Sequence, residues 1–241
     1  MSAPASSPSR LREAAEQLEG RSAQEVLSWA LAAYGTSMAL ACSFGGPSGM
    51  ALLDMALTLE PSLPVFYLDT GLLFPETYRL AAEVSARYHI TPIAVRSTLS
   101  VDDQAANHGP NLWGRAPDRC CDLRKVQPQR AFLSGYQAWI TGVRRDQAPT
   151  RRVTPVVGWD AQGGLVKIAP LAAWTESDVW SYIRAHDIPY NPLHDLGYPS
   201  IGCTHCTRPV SAGEDPRAGR WAGFNKIECG LHRPLEVSAG Q

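Results

Sequence analysis

No apolar run in this sequence approaches the length that crosses a bilayer, so a helical membrane span is excluded. The first ten residues, Met1 to Arg10, are small and polar and lack the apolar core of a secretory signal, which leads us to expect a cytoplasmic protein. Basic residues are not in excess. Lys and Arg total 22 against 23 Asp and Glu, a formal net charge of −1, so broad electrostatic binding to nucleic acid is not expected and any anion site must be local. Six cysteines in 241 residues are too sparse for a disulfide scaffold, and without a secretory signal a metal-binding or catalytic use of them gains weight. Internal repeats and low-complexity tracts are absent.

What is present is the alternation of a layered α/β protein. Leu11, Ala14, Ala15 and Leu18 have helical spacing before Gly20, and Ser22 with Glu25 makes a capping box for a second helix ending at Gly35. From Met38 to Cys42 the chain reads as a buried strand. It is followed by the loop Ser43 to Gly49 and a helix expected from Met50 to Leu59. A strand, a Gly/Ser loop and a helix start present backbone amides to a phosphate, although the Walker A pattern is missing and a plain tight turn would read the same. Pro64 to Leu68 and Ile90 to Val95 are the next expected strands, with a helix opening at Pro75-Glu76 between them. Residues 97 to 117 read as a loop. Ala138 to Gly142 and Leu165 to Ile168 are further strands, and Thr175 with Asp178 caps a helix through Val179 and Ile183. The expectation is a mostly parallel sheet flanked by helices, with ligands bound at the carboxyl ends of its strands. The chain divides into N-terminal helices (1–36), an α/β domain for nucleotide and cofactor (37–207), and a flexible C-terminal segment (208–241) that does not build the core.

Two cysteine pairs organise the rest: Cys120-Cys121, and Cys203 with Cys206. Four thiolates in two pairs can close a tetrahedral zinc site or a cubane iron–sulfur cluster. A directly adjacent pair is unusual for structural zinc, which favours a cluster; a redox disulfide or buried structural thiols are the remaining readings. If the segment after Cys121 is helical, Lys125 lies one turn on and can serve the metal site or a substrate anion, or sit solvated at the surface. The strand at Ala138 runs into Arg144, Arg145, Arg151 and Arg152, guanidiniums that suit phosphate or sulfate unless they form an exposed charge run. Cys229, close to Lys226, His232 and Arg233, has the setting of a nucleophile, because the thiolate is the reactive form and cations favour it; an idle tail cysteine or a fifth ligand are the alternatives.

Taken together, these stretches resemble one family, the assimilatory phosphosulfate reductases, and within it the iron–sulfur adenosine 5′-phosphosulfate (APS) reductases. The matching stretches are Cys120-Cys121 with Arg124 and Lys125, Leu68 to Gly71, Gly142 to Arg152, Gly197 to Cys206, Gly219 to Trp221, and Glu228 to His232. The resemblance implies a PP-loop, adenine-nucleotide α-hydrolase-like fold and a 4Fe-4S cluster on Cys120, Cys121, Cys203 and Cys206. It implies nucleotide contacts at Ser43, Phe44, Gly45, Leu68, Thr70, Gly142 and Arg152, and phosphosulfate contacts at Lys125, Arg217, Arg220 and His232. It further implies that Cys229 attacks the sulfuryl group and that thioredoxin or a similar dithiol frees sulfite. Where relatives carry an acidic pair after the first loop, this chain reads Gly46, Pro47, Ser48 and Gly49. Cys42 matches no family ligand and reads as a buried strand thiol.

Three rivals are weighed against this reading. Reduction of the 3′-phosphorylated nucleotide (PAPS), alone or alongside APS, is the nearest, but relatives dedicated to PAPS lack the double cysteine pair. A PP-loop tRNA thiolase would explain a cluster, yet the Ser-Gly-Gly-x-Asp-Ser loop and a broad basic surface are missing. A zinc-stabilised interaction module leaves Cys229 and the arginines without purpose. Oligomeric state is not legible.

Overall fold

The computed structural model describes residues 7–232; Arg233 and the rest of the C-terminal stretch fall outside them. Ser7 caps α1 (Pro8–Leu18), and the Ser22–Glu25 box caps α2 (Ala23–Tyr34). β1 (Met38–Ala41) leads into α3 (Pro47–Leu59), which starts at Pro47 and not at the expected Met50 because proline's fixed φ and missing N–H suit a first helical turn. β2 (Val65–Asp69) and α4 (Pro75–Tyr88) follow. The third strand also shifts: Pro92 has no N–H to give a ladder, and β3 forms only after it, at Ile93–Arg96.

Two expectations are corrected. The stretch 97 to 117 is not all loop, since Ser100 and Asp103 form a reciprocal capping box that starts α5 (Val101–His108). An edge strand that the sequence did not signal, β5 (Val157–Asp160), lies between β4 (Ala138–Thr141) and β6 (Leu165–Ile168) in the chain. From Pro117 the chain is one interrupted helix: α6 (Pro117–Cys121), a wide π-turn over Asp122–Val126, and α7 (Gln127–Leu133). α8 (Glu176–Ala185) starts at the Thr175–Asp178 box as expected.

The six strands run in the order β3-β2-β1-β4-β6-β5, parallel throughout except for β5, which pairs antiparallel with β6. The expected mostly parallel sheet flanked by helices is therefore the fold. Successive strand residues point to opposite faces. Met38, Leu40, Ile140 and Ile168 join α1, α2, α3, α4 and α8 in the larger core; Ala39, Phe66, Trp139 and Leu165 pack with Leu133 of α7 on the other face. Val26 and Leu27, almost fully buried, tie the N-terminal helices into that larger core, each side chain contributing about 1.5–3 kcal/mol.

The described part of the tail is irregular but packed. Thr207 and Arg220 form a β-bridge, Trp221 is buried with its amide on the Cys206 carbonyl at 3.1 Å, and the segment closes against the C-terminal ends of the strands. The lack of an apolar period hid this, because one tryptophan and several ion pairs hold the segment in place of a repeating face.

Candidate active site

β1 pairs with β2 on one side and with β4 on the other, so the loops leaving these strands part and open a crevice at their carboxyl ends. There a cleft of about 310 Å³ is lined by Ser43, Gly45, Leu68, Gly142, Lys125, Arg217, Arg220, Cys229 and His232, a volume suited to a small ligand. Most of the expected site is thus brought together from six separate stretches of sequence.

Backbone shape explains several members. Phe44 adopts φ +52°, uncommon for a bulky residue. It is held there by Asn191 Nδ2, which donates to its carbonyl at 3.1 Å, while His194 Nε2 lies 3.0 Å from the Gly45 carbonyl. α3 begins on Gly46 with no side-chain cap, leaving first-turn amides at the cleft for an anion. Gly142 lies so close to that helix that an added Cβ would meet the Ser48 carbonyl group at 3.0 Å and the Gly49 amide at 3.1 Å. Asp69 accepts from Tyr78 Oη at 2.7 Å, Arg96 Nε at 2.8 Å and the Gly71 amide at 3.0 Å, which fixes the turn after β2. Burial alone would raise this carboxyl, but these hydrogen bonds outweigh it and hold it below its ordinary value.

Three expected contacts fall elsewhere. The Phe44 side chain is buried in the larger core. Thr70 is fully buried, with its hydroxyl 3.3 Å from Cys203 Sγ, so it serves the cysteine cavity. Arg152 is exposed and outside the cleft, and its neighbour Arg151 lines the cleft instead. In a short turn at Pro149–Arg151, sequence alone cannot say which of two adjacent arginines points inward.

The cleft is strongly basic although the chain is not: Lys125, Arg144, Arg151, Arg217 and Arg220 line it against Asp146 and Glu176. Burial would lower Lys125, but the thiolate charges of Cys203, Cys229 and Cys121 reverse this and raise it, keeping it cationic. His232 is held neutral: burial, then the charges of Lys167, Arg151 and Arg217, push it well below the usual imidazole range. Its ring stacks on Trp139 at 5.9 Å between centroids. Sequence reasoning passed over Lys167, a buried lysine on β6 whose ammonium lies 5.3 Å from the centre of the Trp139 ring; burial lowers it to about 8. Its signal was a lone lysine within an apolar strand. Arg144, one of the four arginines singled out after β4, is buried and donates to Ser48 Oγ and to Asp146 at 2.9 Å.

Behind the cleft, Cys120, Cys121, Cys203 and Cys206 all line one small cavity with Lys125, Arg124 and Trp221. Among the described residues, no group of three or more His, Cys, Asp or Glu side chains is arranged to hold a metal ion. The chemistry of the donor set is nevertheless one-sided. Burial, then the charge of Cys203, raises the Cys120 and Cys206 thiols, the latter to about 11, and burial raises Cys121 against the pull of Lys125. Each thiolate disfavours the next, so four together need positive charge at their centre. Four soft sulfur donors around one cavity fit a zinc ion or an iron–sulfur group. Arg124 braces the wall, donating to the Thr70 carbonyl at 3.0 Å and the Leu99 carbonyl at 3.3 Å. Cys42 lies apart in the larger core, its thiol raised to about 12 by burial.

Residues 37–209 match the phosphoadenosine phosphosulfate reductase domain. The chain is 47% identical to the adenosine 5′-phosphosulfate reductase of Salinibacter ruber, over 97% of this chain and 93% of that protein. It is 49% identical to adenosine 5′-phosphosulfate reductase 2 of Bacillus subtilis, over 87% of this chain and 89% of that protein. Among solved structures, the phosphoadenylyl-sulfate reductase of Candida auris, in a phosphate complex, superposes with a TM-score of 0.72 at 33% identity, covering 87% of this chain and 99% of that one. An FMN adenylyltransferase of Candida glabrata with FMN and an ATP analogue shares the fold at 16% identity and a TM-score of 0.59, covering 90% of this chain and 72% of that one.

Proposed function

The chain belongs to the phosphoadenosine phosphosulfate reductase family, and from that premise we propose that it reduces APS to sulfite and AMP, with Cys229 as nucleophile and a dithiol protein such as thioredoxin as reductant. The observation that carries this reading is Cys229 in one cleft with Lys125, Arg217, Arg220 and His232.

The Cys229 thiolate attacks the sulfuryl sulfur, a sulfur–sulfur bond forms, and the sulfur–oxygen bond to the phosphate breaks with its electron pair passing to AMP. Lys125, Arg217 and Arg220 offset the charge gathering on the departing phosphate and on the transferred group, and neutral His232 can donate a hydrogen bond there without a proton change. The product on the enzyme is an S-sulfocysteine. A thiolate of the dithiol then attacks Cys229 Sγ and releases sulfite; its second thiol resolves the mixed disulfide, and the dithiol leaves oxidised by two electrons. The adenine nucleotide is read at Ser43, Gly45, Leu68 and Gly142, with the α3 amides toward its phosphate. We assign Cys120, Cys121, Cys203 and Cys206 as ligands of a 4Fe-4S cluster, the adjacent pair favouring it over zinc. When bound, that group supplies structural closure and a local field beside Lys125. All six cysteines are free, and a reducing compartment, the cytoplasm, suits that state.

The testing experiment is sulfite release by anaerobically purified protein with thioredoxin, comparing APS with PAPS at matched low concentrations. Strong preference for APS is the expected result. Equal rates would make it a dual reductase, and no sulfite from either substrate would overturn the reading. The same cleft gives a second expectation: Gly142→Ala, which drives a Cβ into the α3 backbone, weakens AMP binding by about tenfold or more, roughly 1.4 kcal/mol. Calorimetric titration with AMP checks this, with circular dichroism to confirm the fold.

A further inference from the structure

The residues just before Cys229 are held more firmly than a tail needs. Arg151 grips the Glu228 carboxylate as a fork, Nε to Oε1 at 2.8 Å and Nη2 to Oε2 at 2.8 Å, and Thr150 Oγ1 adds a third hydrogen bond at 3.2 Å. Arg217 Nη2 lies 3.5 Å from Oε2 and donates to the Ile227 carbonyl at 2.7 Å. The fork is withdrawn from water, its side chains 9% and 14% exposed, in contrast to a surface pair such as Arg21–Glu25 at 61% and 53%. Paired geometry and exclusion of water are what make an ion pair costly to break.

The charges do not close within this group. Arg151 and Arg217 bring two guanidiniums to one carboxylate, and both also line the cleft. Arg217 Nε, Arg220 Nε and His232 Nδ1 are buried without a partner, so an anion is wanted on the cleft side. Arg217 therefore faces two ways, toward the tail and toward the ligand.

We propose that Glu228 is a positioning residue for the reaction: its fork with Arg151 docks the tail and sets Cys229 at the cleft, and the shared Arg217 couples that docking to anion binding. This deepens the reading of Cys229 as nucleophile and rests on it. A guanidinium already fixed by the tail pays less ordering when the substrate anion arrives, and by linkage the anion strengthens the docked tail. Attack by Cys229 needs the fork closed; exchange with the dithiol, which must reach Cys229 from outside, does not.

The test follows the S-sulfo adduct on Cys229 by mass spectrometry in a rapid-quench single turnover, using the full chain with its cluster and APS. Glu228→Gln keeps shape and removes charge. It is expected to slow adduct formation about 30-fold, as is Arg151→Gln, with the double variant no slower than the worse single, because both break one interaction. Dithiol cleavage of a preformed adduct is expected to stay at the wild-type rate, and iodoacetamide is expected to alkylate Cys229 of the substrate-free variant several-fold faster. A merely structural role would slow both half-reactions together, and that result overturns the proposal. Losses that multiply in the double variant, or wild-type adduct formation by Glu228→Gln, overturn it as well. If the wild type itself forms no adduct on Cys229, the nucleophile reading fails and this inference falls with it; a normal wild type beside an unaffected Gln variant removes the positioning role alone.

Discussion

Cys229→Ser is expected to release no sulfite from APS, a loss of at least about 10⁴-fold, the scale on which deletion of a covalent nucleophile acts. The serine hydroxyl fills nearly the same space, so the Arg151–Glu228 fork, the Arg217 contact to the Ile227 carbonyl and the basic cleft are all expected to survive. Among the described residues two cysteines line the cleft, Cys229 and Cys42, and burial holds the Cys42 thiol in its protonated form, so what disappears is the reactive one. A hydroxyl cannot take the thiolate's place, because it stays protonated and is far less reactive toward the sulfuryl sulfur. Iron content and AMP affinity should remain at wild-type levels, so that sulfite assay, iron analysis and AMP titration together isolate the chemical step. Turnover close to wild type would remove Cys229 from the mechanism.

Cys203→Ser acts on the other half of the site. Cys203 Sγ lies 3.3 Å from the buried Thr70 hydroxyl, and its backbone bridges to Leu73, so this residue joins the cysteine cavity to the loop after β2. Replacing a thiolate by a hydroxyl removes one soft donor of four. The expected outcome is loss of the visible absorbance of a thiolate-ligated cluster, and a fall in melting temperature of at least about 5 °C as the loops lose their common anchor. Absorption spectra, iron analysis and calorimetry check this on one anaerobic preparation. Cys42→Ala is the control: its thiol lies in the larger core beside Met50, 3.9 Å from the thioether sulfur, and the spectrum should not change. A Cys203→Ser protein with full absorbance would take Cys203 off the ligand set.

How far the sequence could be read depended on the kind of force at each place. α2 and α8 were legible because a capping box is a local device, with both halves within four residues. The same device lay at Ser100 and Asp103 and was passed over, because the Gly and Pro residues that follow suggested a loop. β5 was hidden for another reason. An edge strand of four residues containing Gly158 has too little period to register, and it exists because β6 offers a free ladder. In the site, residue type and setting led to Cys229 and Lys125, whose chemistry is stated by the side chain itself, whereas Arg217, Arg220 and His232 were legible only through the resemblance of their stretches to the family. The choice of Arg151 over Arg152, the inward burial of Phe44, and Lys167 beneath Trp139 depend on backbone direction and tertiary burial, which no local pattern carries.

The π-turn at Asp122–Val126 gives the helix from Pro117 to Leu133 two independent angular settings. The Gln127 amide reaches back five residues to the Asp122 carbonyl, one more than in a regular α-helix. That additional residue lets the front end turn about the axis without dragging the back end with it. Leu133 can keep its seat against Phe66 and Trp139 on the sheet, while Cys120 and Cys121 are aimed at Cys203 and Cys206 across the cavity. A straight helix would have to choose one bearing for both tasks, and any repacking of the sheet would then steer the thiols off their mark.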